Sequence, residues 1–116
     1  NADVLEELGK ACLREGKIEE GAKDLDDAMK ADSRRGFLLL DLARFHLLRV
    51  MQGKGPRDVA LAAAEKAIKR YLESDPIPPL KAYAIEMLAK VEFGRKNKKA
   101  VDELREKAKA IDPFYS

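Results

Sequence analysis

The hexapeptide LGKACL at residues 8–13 returns 34 residues later as LARFHL (42–47) and, after a further 46, as LAKVEF (88–93). Each copy runs leucine, small residue, cation, and Leu5, Leu39 and Ile85 stand three positions ahead of them. A second pair, AMKADS (28–33) and AKAIDP (108–113), repeats with the same overall offset. Self-similarity at this period belongs to chains built from stacked supersecondary repeats, each too small to bury its own apolar face. The apolar spacing is of the 3.6-residue kind throughout, with no convincing alternation, which predicts helices and no strands. Six helices fit, over 3–15, 18–32, 35–52, 57–74, 79–93 and 98–111, separated by stretches rich in Gly, Pro, Asp and Asn. Short connections make successive helices antiparallel. The expected architecture is a single all-α domain, 1–116, of three helical hairpins at about 3–33, 35–76 and 79–113. The middle hairpin is the longer one, and Asn1-Ala2 reads as a cloning remnant.

Gly9 and Gly21 fall inside the first two helices, where each costs roughly 1 kcal/mol relative to alanine. Aligning the copies puts Gly9, Ala43 and Ala89 at one position and Gly21, Ala60 and Ala100 at another. A small residue at both positions lets two helices approach closely, and that packing outweighs the propensity cost.

Composition removes several function classes. Charged residues make up 38% of the chain and hydrophobic ones 46%. No apolar run nears the roughly 20 residues that span a bilayer, so no membrane role is expected. The single cysteine excludes an internal disulfide and leans toward a reducing, cytoplasmic compartment. Net charge is +2, yet residues 1–33 carry ten Asp/Glu against five Lys/Arg, so an acidic end faces a basic remainder. That is not the uniformly basic surface of a nucleic-acid binder.

Cys12, His46 and Glu92 invite reading as nucleophile, base and orienter. They occupy one position in three successive first helices, where neighbours sit roughly 8–10 Å apart. A working dyad needs about 3 Å. The expectation is a packed cysteine and histidine, and no enzyme. The acidic run EEGAKDLDD (19–27) lacks a calcium loop's pattern and lies on a helix, where carboxylates fan outward. GKG (53–55) lacks the spacing of a phosphate loop. GRKNKKA (94–100) is basic but has no interleaved aromatics, so an ordinary solvated turn is expected. No metal and no cofactor follow from any of these.

The 34-residue period, two helices per repeat, and pairs such as Leu8-Gly9 with Gly21, Ala28 and Asp32-Ser33, or Leu88-Ala89 with Ala108 and Asp112-Pro113, resemble the tetratricopeptide repeat family. The chain departs from that family in having no Trp, in placing Cys12, His46 or Glu92 where a Tyr is usual, and in its stretched second repeat. A generic bundle of three hairpins is the structural alternative. The resemblance implies a right-handed α-solenoid whose first helices line a concave groove for a partner's peptide or helix. It implies that Lys10, Arg44 and Lys90 face that groove as a ladder of cations suited to an acidic segment. Leu13, Arg14, Leu47, Leu48 and Phe93 would follow one turn on, and Glu6, Leu40 and Glu86 one turn earlier. The bland reading of Lys10 and Lys90 is an i,i+4 surface pair with Glu6 and Glu86.

The resulting expectation is a protein-binding adaptor. Its rival is self-assembly: Ala100, Val101, Leu104, Ala108 and Ile111 give the last helix an apolar face, followed by Phe114 and Tyr115 without a capping helix, and array ends need a polar cap. A homo-oligomer through that terminal helix is the form it would take.

Overall fold

A computed structural model describes residues 1–114; Tyr115, invoked above beyond the last helix, lies outside them. Six α-helices form: α1 (Ala2–Arg14), α2 (Ile18–Ala31), α3 (Leu38–Met51), α4 (Arg57–Leu72), α5 (Pro78–Gly94) and α6 (Lys98–Ile111). Among the described residues there is no strand, and no helix is long and apolar enough to cross a membrane. The fold is all-α.

Local chemistry sets the ends. Asn1, read above as a remnant, caps α1: its Oδ1 accepts from the Asp3 and Val4 amides at 2.8 and 3.4 Å. The third helix starts three residues later than its apolar spacing predicts. Asp32 caps a 3-10 turn, Ser33–Arg35, by accepting from the Arg34 amide at 3.1 Å, and this turn takes up the intervening residues. Pro78 opens α5, where its missing N–H is no loss.

The chain divides into two compact units, Asn1–Leu38 and Leu39–Ser116. In the first, α1 and α2 form an antiparallel hairpin whose seam is glycine against glycine. A Cβ at Gly21 would lie 2.8 Å from Leu13 Cγ and 2.9 Å from the Gly9 carbonyl oxygen. A Cβ at Gly9 would lie 2.8 Å from Leu25 Cδ2 and 3.0 Å from the Gly21 oxygen. Leu13, Leu25 and Ala28 are buried along this seam. Arg35 then ties the 3-10 turn to the start of α1, donating to Glu6 (2.8 Å), Asp3 (2.5 Å) and Asp32 (3.2 Å).

In the second unit, α5 and α6 form a hairpin around Ala82, Ile85 and Ala108, with Leu72, Leu104 and Ile111 packed against them. Of the apolar face read above on the last helix, Val101 and Ala108 are buried and Leu104 and Ile111 partly so, against α5. The residues α6 turns outward, from Asp102 and Glu103 to Lys107 and Lys109, are charged. Helix α4 meets the end of α5, where a Cβ on Gly94 would lie 2.8 Å from Leu61 Cδ2. Arg57 donates to the Gly94 carbonyl at 2.9 Å, and Arg95 forks between Glu65 (2.9 Å) and Glu92 (3.0 Å).

The two hairpins share one backbone plan at an offset of eighty residues. Lys17 N donates to Cys12 O as Asn97 N does to Glu92 O, and Gly16 N to Leu13 O as Lys96 N to Phe93 O. Asp32 and Asp112 close α2 and α6 with near-identical extended backbones. This register is uninterrupted, so the partner of Gly21 in α5–α6 is Val101, not Ala100.

One equivalence carries strain. Gly16 turns with φ +83°, and Lys96, in its place, holds φ +62°. A side chain in the left-handed region costs roughly 1 kcal/mol that glycine avoids. Lys96→Gly is expected to raise the thermal midpoint accordingly, which a melt followed by circular dichroism checks.

Candidate partner-binding site

The shared plan makes a residue-by-residue comparison of the two seams meaningful. In α1–α2 the facing positions are Leu13, Gly21 and Leu25, all buried, with Leu13 filling the hollow over Gly21. In α5–α6 they are Phe93, Val101 and Arg105. Val101 fills the hollow with its own side chain and is 4% exposed. Phe93 then has no hollow to enter and stands 72% exposed. Arg105, replacing a buried leucine, reaches out to Glu86 at 3.3 Å.

What is closed in α1–α2 is therefore an open cleft in α5–α6. It encloses about 510 Å³, with Phe93 and Val101 as its apolar floor. Arg57 from α4, Lys96 from the turn, and Lys98 and Arg105 from α6 ring it, against one carboxylate, Asp102. In such a setting a ligand's apolar side chain is covered while its negative charges meet a cationic rim. A neighbouring cleft between α4, α5 and α6 mixes Glu65, Glu92 and Glu103 with Lys69 and Lys107, and its charges largely cancel.

The residues expected from the sequence are distributed as follows. In the first unit, Lys10 pairs with Glu6 at 3.0 Å, the i,i+4 pair of the bland reading. Glu6 also accepts from Arg35, and its carboxyl is held below the usual range by Lys10 first and Arg35 after it. Arg14 is exposed, whereas Leu13 is core, occupied within its own hairpin. In the second unit, Leu40 is likewise core. Arg44 pairs with Asp41 and approaches the Tyr83 hydroxyl at 3.5 Å, which ties α3 to α5. Leu47 is half-buried and Leu48 exposed. Glu86 is engaged by Arg105, so Lys90 does not share it in the manner anticipated; Lys90 is exposed one turn before Phe93.

Sequence reading placed Phe93 in a groove, read Lys96 and Lys98 as a solvated turn and Val101 as part of a terminal apolar face, and named neither Arg57 nor Arg105. The signal was available in the offset of AMKADS against AKAIDP, which carried back along α6 pairs Gly21 with Val101.

Each member of the apparent triad has its own surroundings. The half-buried Cys12 thiol lies 3.9 Å from Asp24 Oδ2, and burial, then Asp24 and Glu20, push its pKa up and oppose the thiolate. Glu92 belongs to the Arg95 ion cluster. His46 is 7% exposed, with the Phe45 ring edge-on at 5.7 Å. Burial, then Arg49, lower its pKa, so the native state holds the proton less tightly than the unfolded chain. Its contribution to stability is complete above the ordinary value of 6.5 and declines as pH falls through that value toward the lowered native one. Because it is the only histidine, melts between about pH 7.5 and 5.5 are expected to show a fall in stability that His46→Leu removes.

No protein-family model, curated protein or solved structure matches this chain.

Proposed function

We propose that the chain is a non-enzymatic protein-interaction module, built of three tetratricopeptide-like hairpins arranged as an α-solenoid, that takes up an acidic peptide or helix of a partner protein. The observation that carries this reading is Phe93, a large aromatic left exposed on a hairpin whose twin buries the equivalent leucine, beside a rim of four cations. A large exposed apolar side chain set among polar ones is how interaction sites present themselves. The recurrence of one hairpin plan at a fixed offset supports the repeat architecture. The raised pKa of Cys12 and the burial of His46 weigh against nucleophilic chemistry. Lys10, Arg44 and Lys90 are the proposed cations of the first-helix faces, with Lys90 the most accessible in place and setting.

The test is a displayed library of random and C-terminal peptides screened at low and high salt. Native protein and a Lys10→Glu/Arg44→Glu/Lys90→Glu variant are compared. Capture of acidic peptides that salt weakens is expected, since exposed charges are screened over roughly 10 Å at 0.1 M. A library from which the native chain retains nothing above background would sink the reading.

A further inference from the structure

The third hairpin differs from the first in a way that neither helix formation nor core packing requires. Phe93 could have been polar at no loss to the core, since it contributes little buried area. Lys96 holds a left-handed backbone where its twin has glycine. Arg105 replaces a core leucine. All three departures border the same cleft, and all add either apolar floor or positive rim.

Resting on the reading of the chain as a peptide-binding module, we infer that its ligand anchor is this cleft, and that the ligand is an acidic segment of a partner protein carrying one bulky apolar side chain. That side chain lies over Phe93 and against Val101. The flanking carboxylates meet Lys96 at the turn and Lys98 and Arg105 on α6. Four cations, of which Arg105 is already paired with Glu86, against Asp102 set the sign of the partner's charge. Lys90, exposed one turn back along α5, extends the positive track beyond the cleft. Two of the rim cations are already engaged: Arg57 holds the Gly94 carbonyl through both Nε and Nη2, and Arg105 is paired with Glu86. The strain at Lys96 has a use here: the cation sits at the rim because the backbone turns as it does.

The hairpin comparison supplies its own test. Ala89→Gly/Phe93→Leu/Val101→Gly/Arg105→Leu rebuilds the seam of α1–α2 in α5–α6, glycine against glycine as at Gly9 and Gly21, so the cleft closes by a packing that the same chain already uses. The probe is a fluorescent peptide of about twelve residues, rich in Asp and Glu with one central Phe. It is compared with a version bearing Ser at the centre and with a Lys-rich version, by anisotropy at low and high salt. The native chain is expected to bind the Phe-centred acidic peptide roughly tenfold or more tightly than the others, with affinity falling as salt rises. The rebuilt seam is expected to lose that preference while melting normally. Lys96→Gly is expected to bind more weakly and melt higher, a pairing that general destabilisation cannot produce. Should the rebuilt seam fail to fold, Phe93→Ser, at an exposed position, gives the same readout.

Acidic binding that survives the rebuilt seam and disappears in Lys10→Glu/Arg44→Glu overturns the cleft as anchor and leaves the module reading standing. Equal binding of the Lys-rich peptide overturns the charge assignment. Self-association on sedimentation, abolished by the rebuilt seam, replaces the acidic partner with a second copy of this chain. Retention of no peptide by the native chain, from the designed set and the library alike, overturns both readings.

Discussion

Gly21→Ala lowers the stability of the chain by about 1–2 kcal/mol, although alanine is the better helix former. Propensity alone favours the change by roughly 1 kcal/mol. Against it, the new methyl would sit 2.8 Å from Leu13 Cγ and 2.9 Å from the Gly9 carbonyl oxygen. Leu13 has rotamers to move into; a carbonyl locked in the α1 ladder has none, so the helices must part. Overpacking of this kind costs typically 1–3 kcal/mol, and the separation also thins the contact of Leu13 and Leu25 with the seam. Gly36→Ala is the opposing control. Gly36 has ordinary helical dihedrals, and a Cβ there meets nothing within 4 Å among the described residues. Alanine should therefore stabilise by roughly 0.4–1 kcal/mol through the unfolded chain. Opposite signs from the same substitution, read in parallel urea melts, identify close approach as the cause; like signs would remove it.

Arg35→Met lowers the stability of the chain at neutral pH and flattens the acid limb of the stability curve. One guanidinium, its side chain 21% exposed, donates to Asp3 and Glu6 of α1 and to Asp32 at the end of α2. Charge-assisted hydrogen bonds are worth roughly 1.5–3 kcal/mol when sheltered, and partial exposure here keeps three of them well below their sum. Methionine preserves the apolar stem and leaves carboxylates facing one another. Glu6 is held below its ordinary 4.5, by Lys10 and then Arg35; Asp32 is held below 3.8, by Arg34 and then Arg35. Both lowered values mean that the native state binds protons less readily than the unfolded one. The stabilisation is present above about pH 5 and is lost as pH falls through the carboxylate range. Melts of both proteins from neutral pH to about pH 3 should converge at the acid end. A constant gap across that range would show that packing, not charge, carries the effect of Arg35.

Much of this was legible beforehand. Six helices, the small residues of the first seam and the Glu6–Lys10 pair all follow from spacing within one or two helical turns. The illegible features depend on residues that the fold alone brings together. Arg35 reaches Asp3 and Glu6 across some thirty positions, and Arg95 reaches Glu65 likewise. Direction was the other gap. The stripe Val101–Leu104–Ala108–Ile111 announces an apolar face but not what covers it, and α5 does. At Ala100 and Val101 the smaller residue looked like the counterpart of Gly21. Asn97 fixes the count by capping α6 through the Ala100 amide from the place of Lys17, which gives that role to valine.

The two seams also bear on how such a chain can change. Position 21 with position 13, and position 101 with position 93, are alternative solutions of one volume equation: a large residue over a gap, or a filled gap with the large residue turned away. Changed alone, position 21 gains a side chain that clashes with Leu13 and the Gly9 carbonyl, and position 101 cut to glycine leaves a void where Val101 was buried. The hairpins are thus mutationally walled off from each other while their backbones remain superimposable in plan, and a library drawn at both positions together should recover two islands of folded sequences with few stepping stones between.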